Sequence, residues 1–304
     1  MAVLKKKKTL QSAMEYLMTY GWAILVIAIV LASLVQLGVL NVNAFSTRAQ
    51  GGSCQVFRPN GPLTTAFTKL QGVCNNELPQ LIAKFNAPQN GCTGSSNQGA
   101  TTNNFYAPSF SSMTINFWYY PLGPSSSGYT AFSLGGWSCQ WGWGNLEYRP
   151  SVPDWYVYNG VGGASCLQLV DTNGNGVLMM HTLVLDGNSG TASIYDNGVF
   201  SKSATWVGPI PAGTYLNLGI LTQGCHDAAD GYMANMQIYN SSLSANQIAT
   251  LYKNGIGSPP VQLSNLVGWW PLNGDANDYS GNGYHAQIYN NVSFTEAWTN
   301  YYPR

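Results

Sequence analysis

The longest apolar stretch of the chain, residues 16–40, lies near its beginning and carries no charged residue. Lys5–Lys8 precede it. At ~1.5 Å per residue, an α-helix of this length can cross a bilayer. The pattern predicts a basic leader at 1–10 and a transmembrane or filament-core helix at 11–48, followed by a second domain at 53–304.

Beyond residue 53 the pattern changes to short alternating segments, rich in aromatic residues and separated by turn residues. Residues 113–120 predict a strand, 181–185 with 191–195 predict a hairpin, and 196–198 predict a tight turn after it. One helix is predicted in this region, and Ser244 is its predicted N-cap. Strands at such short spacing predict an all-β sandwich with two sheets.

Composition and charge narrow the class of protein. Aromatic residues make up 13% of the chain and charged residues only 8%, which suits an extracellular β-protein and not a disordered chain. The chain has 12 basic and 12 acidic residues. Without Lys5–Lys8 eight basic residues face twelve acidic ones, a net charge of about −4. With no basic patch beyond the leader, nucleic acid is not an expected partner.

Six cysteines all follow the apolar segment. The basic leader places the residues after 45 outside the cell by the positive-inside rule, where disulfides form. Fifteen pairings are possible, and we favour a local Cys54–Cys74 bond that closes the entry to the second domain. Asn240 and Asn291 begin N-x-Ser triplets and are candidate N-glycosylation sites. The other cysteines are Cys92, Cys139, Cys166 and Cys225.

A single acidic residue, Glu15, stands at the start of the apolar segment, where a carboxylate is costly. An ordinary signal anchor, the alternative hypothesis, gives it no role. Cleavage between Leu10 and Gln11 would create an α-amine on Gln11. Glu15 of one subunit could then pair with that amine on a neighbour. The arrangement predicts processing followed by assembly of copies through this helix.

Residues 11–25, which begin Gln-Ser-Ala-Met-Glu-Tyr-Leu, resemble the N-terminus of archaeal type IV pilin-like proteins. The resemblance implies cleavage by a membrane-embedded prepilin peptidase, a membrane-anchored precursor, and a homo-oligomeric helical filament on the cell surface. The family usually has Gly or Ala before the cleaved bond, and this chain has Leu10.

A second resemblance lies in residues 114–118, 194–198 and 234–244, which are similar to laminin G-like, concanavalin A-like jelly-roll domains. Residues 266–282 look like a segment that normally opens such a domain, but here they come at the end. A circular permutation and a truncated second copy both explain this order. We favour permutation, because residues 266–304 are too few to bury a core of their own.

The acidic residues do not predict an enzyme. Glycan cleavage needs two carboxylates about 5–9 Å apart, and no glutamate of this chain lies on a predicted strand with a second acid at i+2 or i+4. Cys225, His226 and Asp227 are neighbours whose side chains alternate between faces, so they cannot converge. His181 and His285 are predicted to be isolated surface imidazoles, solvated or hydrogen-bonded. The four glutamates are Glu15, Glu77, Glu147 and Glu296.

Two polar segments suggest calcium. Asp171, Asn173 and Asn175 have the spacing of calcium-loop ligands, but Thr182 stands where the closing Glu belongs, so a polar turn is favoured over a metal site. Asp278 is predicted to accept hydrogen bonds from the 280–282 turn. No other cofactor is predicted.

A group of tryptophans suggests carbohydrate binding, because sugars stack on aromatic rings. These are Trp137, Trp141 and Trp143. Core packing is the alternative for them, and for the aromatic residues at 155–158.

These observations predict a subunit of an archaeal type IV pilus-like surface filament whose lectin-like head serves adhesion to a glycan or cell surface. The alternative is a monomeric, membrane-anchored lectin-like adhesin. Gln11 and Glu15 favour the filament, and Leu10 favours the monomer.

Overall fold

A computed structural model describes most of the chain, which divides into two compact units, Met1–Thr47 and Arg48–Arg304. The described residues are 18, 20–33, 48–86, 99–102, 105, 110–122, 130–134, 146–149, 154–158, 166–170, 177–209, 215–219, 229–289 and 292–296.

The first unit contains a helix, α1, over residues 20–33. Ile24, Leu25, Val26 and Ile27 are each at least 50% exposed. Because four consecutive residues point in directions about 100° apart, the helix is apolar on every side. Within the part of the chain that is described, no helix has both the length and the apolarity to span a membrane. Apart from residues 18 and 48, the rest of the predicted 11–48 helix lies outside the described residues.

The second unit is a sandwich of two antiparallel sheets with a separate two-stranded hairpin, β1–β2. One sheet has the strand order β12–β11–β10–β5–β14–β3–β17, with β15 alongside β14, and the other has the order β16–β4–β13–β6–β7–β8–β9. The described strands are β1 Cys54–Phe57, β2 Lys69–Gly72, β3 Ile82–Phe85, β4 Ala100–Thr102, β5 Ser112–Pro121, β6 Phe132–Leu134, β7 Leu146–Arg149, β8 Asp154–Tyr158, β9 Cys166–Val170, β10 Met179–Asp186, β11 Thr191–Asp196, β12 Val199–Thr205, β13 Leu216–Leu218, β14 Gly231–Tyr239, β15 Leu266–Trp270, β16 Gln287–Ile288 and β17 Val292–Thr295.

The main core lies between the two sheets, because alternate residues of each strand point inward. Phe117 of β5 contacts Phe132 of β6 and Trp155 of β8, with ring centroids 5.2 and 5.8 Å apart. Such aromatic pairs add about 0.5–1.5 kcal/mol beyond their area burial. Trp155 is fully buried, so the core-packing interpretation is confirmed for this residue.

A second apolar cluster covers the outer face of the eight-stranded sheet. It joins Trp118 of β5 and Ile82 of β3 to Val56 of the hairpin. It also includes Ile248 and Leu251 of a helix, α2, that spans Ala245–Asn254. The predicted N-cap is confirmed, since the Ser244 side chain accepts from the Gln247 backbone N–H. The eight-stranded sheet is therefore covered on both faces.

The predicted tight turn at 196–198 joins β11 to β12. Asn197 and Gly198 have φ values of 50° and 79°, which suits a two-residue hairpin turn. A Cβ on Gly198 would lie 2.8 Å from Cβ of Tyr252. The glycine is therefore needed both for its backbone conformation and for the close approach of α2.

The C-terminal segment contributes strands to both sheets of the sandwich. β15 pairs with β14, β17 pairs with β3, and β16 pairs with β4 of the seven-stranded sheet. Trp270 of β15 is buried in the main core. Residues 266–296 are thus part of the same sandwich and do not form a separate copy, as the permutation hypothesis expects.

Arg58 connects the β1–β2 hairpin to this C-terminal segment. Its guanidinium donates to the carbonyl oxygens of Ser280, Leu263 and Leu266 at 2.8, 3.1 and 2.9 Å, and also to that of Thr64. Burial lowers the pKa of Arg58, and the nearby carboxylate of Asp278 acts in the opposite direction. A buried cation is tolerated here because oxygen acceptors replace the water it has lost.

Candidate functional site

Polar residues cross the seven-stranded sheet in a single row. Because the strands are in register, each member lies directly opposite the next. Residues on either side of this row, such as Phe132 and Leu134, belong to the main core. The members of the row whose side chains are described therefore lie on the face of the sheet that points away from the core. It consists of Gln287, Thr101, Asn217, Ser133, Glu147, Tyr156 and Gln168.

The middle of the row is buried and hydrogen-bonded. Thr101 Oγ1 donates to Asn217 Oδ1 at 3.0 Å, and Asn217 Nδ2 donates to Ser133 Oγ at 3.1 Å. Their exposed fractions are 1%, 0% and 0%. These bonds fix the orientation of the Asn217 amide. A ligand cannot reach this part of the row directly.

The row ends in exposed side chains at both edges of the sheet. Gln287 lies at the β16 edge and Gln168 at the β9 edge. Gln168 Nε2 donates to Asp154 Oδ2 at 2.5 Å, and Asp154 is fully buried. The hydrogen bond to this buried side chain fixes the orientation of the Gln168 amide. The β9 edge thus presents a held amide to solvent.

The three tryptophans proposed for sugar stacking belong to residues 135–145, between β6 and β7 in the sequence. Trp137, Trp141 and Trp143 lie outside the described residues. The residues that flank this segment, Leu134 and Leu146, are opposite one another in register. The tryptophans therefore belong to a connection between two central strands of the sheet that carries the polar row.

The predicted disulfide is confirmed, since Cys54 and Cys74 are bonded. Closing a loop of this length stabilises the fold by about 3 kcal/mol. Cys166 is in β9, but its side chain lies outside the described residues, as do Cys92, Cys139 and Cys225.

The structure describes only one of the residues predicted for glycosylation, processing and assembly. Asn240 is exposed at the end of β14, so its side chain is accessible to a glycosyltransferase, while Asn291 lies outside the described residues. Leu10, Gln11 and Glu15 also lie outside them.

Of the two segments considered for calcium, the structure describes only the one that contains Asp278. Asp171, Asn173 and Asn175 lie outside the described residues. Asp278 is buried and structural, as predicted: its Oδ1 accepts from the backbone N–H of Ser280 at 2.8 Å. Among the described residues, no group of three or more His, Cys, Asp and Glu side chains could hold a metal ion.

The prediction that His181 is an isolated surface imidazole is wrong. His181 is 1% exposed, and its Nδ1 lies 3.4 Å from Oδ1 of Asp196. β10 is an interior strand whose two faces are both covered, and Asp196 lies opposite His181 in register. The imidazole is therefore buried with a carboxylate partner. His285 is an exposed imidazole that accepts from the Asp278 backbone N–H at 3.2 Å, as predicted.

The sandwich of two antiparallel sheets, with polar residues crossing one outer face, defines a jelly-roll protein of the lectin-like class. Residues 93–249 match the family model described as the concanavalin A-like lectin/glucanases superfamily, which covers just over half of the chain. The chain belongs to this family.

Solved structures of similar fold are distant in sequence. A "putative carbohydrate binding protein" from Bacteroides ovatus is 14% identical with a TM-score of 0.50, over 71% of this chain and 60% of that one. A heptameric SAP-like pentraxin from Limulus polyphemus is 17% identical with a TM-score of 0.45, over 60% of this chain and 87% of that one. No curated protein matches the chain.

Proposed function

We propose that the chain is the subunit of an archaeal type IV pilus-like surface filament and that its head binds carbohydrate. One observation carries the filament hypothesis: α1 is apolar on every side, and its side chains are half or more exposed. A helix of this kind requires apolar surroundings. A bilayer supplies them for the precursor, and the helices of other copies supply them in a filament. Gln11 and Glu15 support the filament, because a permanent anchor gives them no role.

The carbohydrate site is proposed at the β9 edge of the seven-stranded sheet. Sugars are recognised by polar groups that pair with hydroxyls and by aromatic rings that stack on C–H faces. The exposed amide of Gln168 is a polar group that can pair with sugar hydroxyls as donor and as acceptor. Its Nε2 donates to Asp154 Oδ2 at 2.5 Å. The tryptophans between β6 and β7 in the sequence supply the aromatic rings. No catalytic carboxylate pair is part of this proposal.

We expect Gln168→Ala to weaken glycan binding roughly two- to twelvefold, because a neutral hydrogen bond contributes about 0.5–1.5 kcal/mol. We expect Trp141→Ala to weaken it at least as much through lost stacking. Glycan-array screening of the full chain in detergent identifies the ligand, and calorimetry then compares the variants. Gln71→Ala, which removes an exposed glutamine of the β1–β2 hairpin, is the matched control and should leave affinity unchanged. Equal affinity in all three variants would exclude this site.

We expect Glu15→Gln to leave membrane insertion and cleavage before Gln11 intact but to lower filament yield at least about tenfold. Removing one partner of a poorly hydrated ion pair costs about 2–5 kcal/mol. N-terminal sequencing measures cleavage, and electron microscopy of sheared filaments measures yield. The control is Glu296→Gln, since Glu296 is exposed on the head. Filaments whose subunits still begin at Met1, or a normal yield from Glu15→Gln, would favour the monomeric anchored adhesin.

A further inference from the structure

We propose that the head carries a second carbohydrate site, a pocket beside the Cys54–Cys74 disulfide that binds one neutral sugar unit. Trp269 of β15 lines this pocket and belongs to the apolar cluster on the outer face of the eight-stranded sheet. Gln168 lies in the other sheet, so the two sites are separate. The inference rests on the proposed carbohydrate function of the head and adds a site to it.

Several distant parts of the chain meet around this pocket. The disulfide forms part of its wall, since both cysteines line it. The volume is about 490 Å³ when the space at the open mouth is included, which is within the ~300–1,000 Å³ of small-molecule sites. The other lining residues come from 49–53, 73–79, 256–259 and 269–273, together with Asn235 of β14.

Two buried asparagines, 2% and 7% exposed, hold the walls of the pocket together. Asn235 Nδ2 donates to the Ser258 carbonyl at 2.8 Å, and its Oδ1 accepts from the Trp269 indole N–H, also at 2.8 Å. Asn273 Nδ2 donates to the Ala49 carbonyl at 2.7 Å. These contacts connect four of the surrounding segments. The walls are therefore fixed before a ligand arrives, which lowers the cost of binding.

The backbone at the pocket is irregular in a way that favours a ligand site. The register between β14 and β5 shifts at Asn235, and bulges of this kind often redirect a side chain next to a functional site. Six described non-glycine residues have a positive φ, and three of them are Asn76, Asn235 and Leu272, at 57°, 51° and 57°. The two asparagines line the pocket, and Leu272 lies between two lining residues. For a bulky residue such as Leu this conformation is costly, and strained residues cluster at ligand sites.

The chemistry of the lining residues favours a neutral sugar. Gln50, Asn75 and Asn76 are exposed at the pocket, and amides donate and accept hydrogen bonds as sugar hydroxyls do. Trp269 and three prolines supply apolar surface for the C–H faces. Among the described residues that line the pocket, Glu77 carries the only charge, and its Oε1 accepts from Asn75 Nδ2 at 2.7 Å. An acidic sugar would meet this carboxylate without a lining cation to balance it.

Photoaffinity labelling of the full chain tests the pocket. The probes are diazirine derivatives of glucose, galactose, mannose, N-acetylglucosamine and glucuronate, in a detergent without a sugar headgroup, and mass spectrometry locates the labelled peptides. We expect at least one neutral probe to label residues 49–54, 73–79 or 256–273. Glucuronate should label them less than glucose does.

Two variants test whether the label reports the pocket. Val73 lines the pocket and is 54% exposed, so Val73→Trp obstructs the pocket without disturbing the core. It should lower this labelling at least about tenfold, a loss of ~1.4 kcal/mol. Asn76→Gly removes one amide at a φ that glycine adopts readily, and labelling should fall roughly two- to twelvefold. Val177→Trp, the matched control, alters a 53% exposed valine outside the pocket and should leave labelling unchanged.

The outcomes separate this proposal from the proposed function. Label found only at 135–145 or 166–170 would overturn the pocket and leave the site at the β9 edge intact. Labelling of the pocket that is unchanged in both Val73→Trp and Asn76→Gly would also overturn it, and stronger labelling by glucuronate would overturn its preference for neutral sugars. If no neutral probe labels the chain, the pocket proposal fails, and the glycan array then decides separately whether the head binds carbohydrate.

Discussion

Removing residues 266–304 from the head should abolish its cooperative unfolding transition. The truncated chain loses β15 and β17 from one sheet and β16 from the other. It also loses Trp269 and Trp270, which are 3% and 0% exposed. Removing a single buried Trp side chain costs about 3–5 kcal/mol. Two of them, together with three strand pairings, account for most or all of the ~5–15 kcal/mol that stabilises a domain.

The loss of Arg58 partners adds to this effect. The Ser280 and Leu266 carbonyls that accept from its guanidinium lie in the deleted segment. A buried cation left with too few acceptors is costly. We therefore expect the hairpin that carries Arg58 to detach from the sandwich as well.

The measurement compares near-ultraviolet circular dichroism melting curves of 48–265 and 48–304 under oxidising conditions. The matched control is 48–296, which keeps every described strand and should melt like the longer head. If residues 266–304 were the beginning of a second copy, the 48–265 head would keep its melting transition. That outcome would contradict the strand pairings of the sandwich.

Local signals explain the parts of the fold that could be predicted from the sequence. The 113–120 strand and the 181–195 hairpin are long enough to show a period of two. The N-cap at Ser244 and the turn at Asn197 depend on residues adjacent in the chain. By contrast, Ala100–Thr102, Phe132–Leu134 and Leu216–Leu218 are strands of three residues, too short for a period to be recognised.

The candidate site could not be predicted from the sequence, because it depends on strand register. Thr101 and Asn217 are hydrogen-bonded but 116 residues apart. A weak signal was present, since Ser133 and Asn217 each stand alone between two large apolar residues, the alternation of a half-buried strand. The role of Arg58 could not be predicted for the same reason, because its acceptors Leu263, Leu266 and Ser280 are more than 200 residues away. The carboxylate that orients Gln168 comes from a neighbouring strand.

Asp278→Ala should destabilise the head by roughly 4 kcal/mol. Oδ1 accepts from the backbone N–H groups of Trp269 and Ser280, at 3.0 and 2.8 Å. Oδ2 accepts from the Tyr284 N–H and the Ser280 hydroxyl, both at 2.9 Å. Alanine would leave the three backbone N–H groups without this acceptor, while the Ser280 hydroxyl keeps the Val267 carbonyl at 3.3 Å. Each buried unsatisfied donor costs about 1–3 kcal/mol. The loss also removes the carboxylate whose charge acts on the buried guanidinium of Arg58.

Two further variants test whether the loss of stability comes from the hydrogen bonds of Asp278 or from removing any carboxylate of this segment. Asp278→Asn keeps one acceptor oxygen but places an amide donor near the Tyr284 N–H, so we expect about half the loss. Asp275→Asn alters a carboxylate that is only partly buried and should cost less than about 1 kcal/mol. Urea unfolding of the three variants, with slopes compared, measures these differences. If Asp278→Ala were as stable as Asp275→Asn, the hydrogen bonds of Asp278 would contribute little, and β15 would be held to residues 278–284 by apolar packing alone.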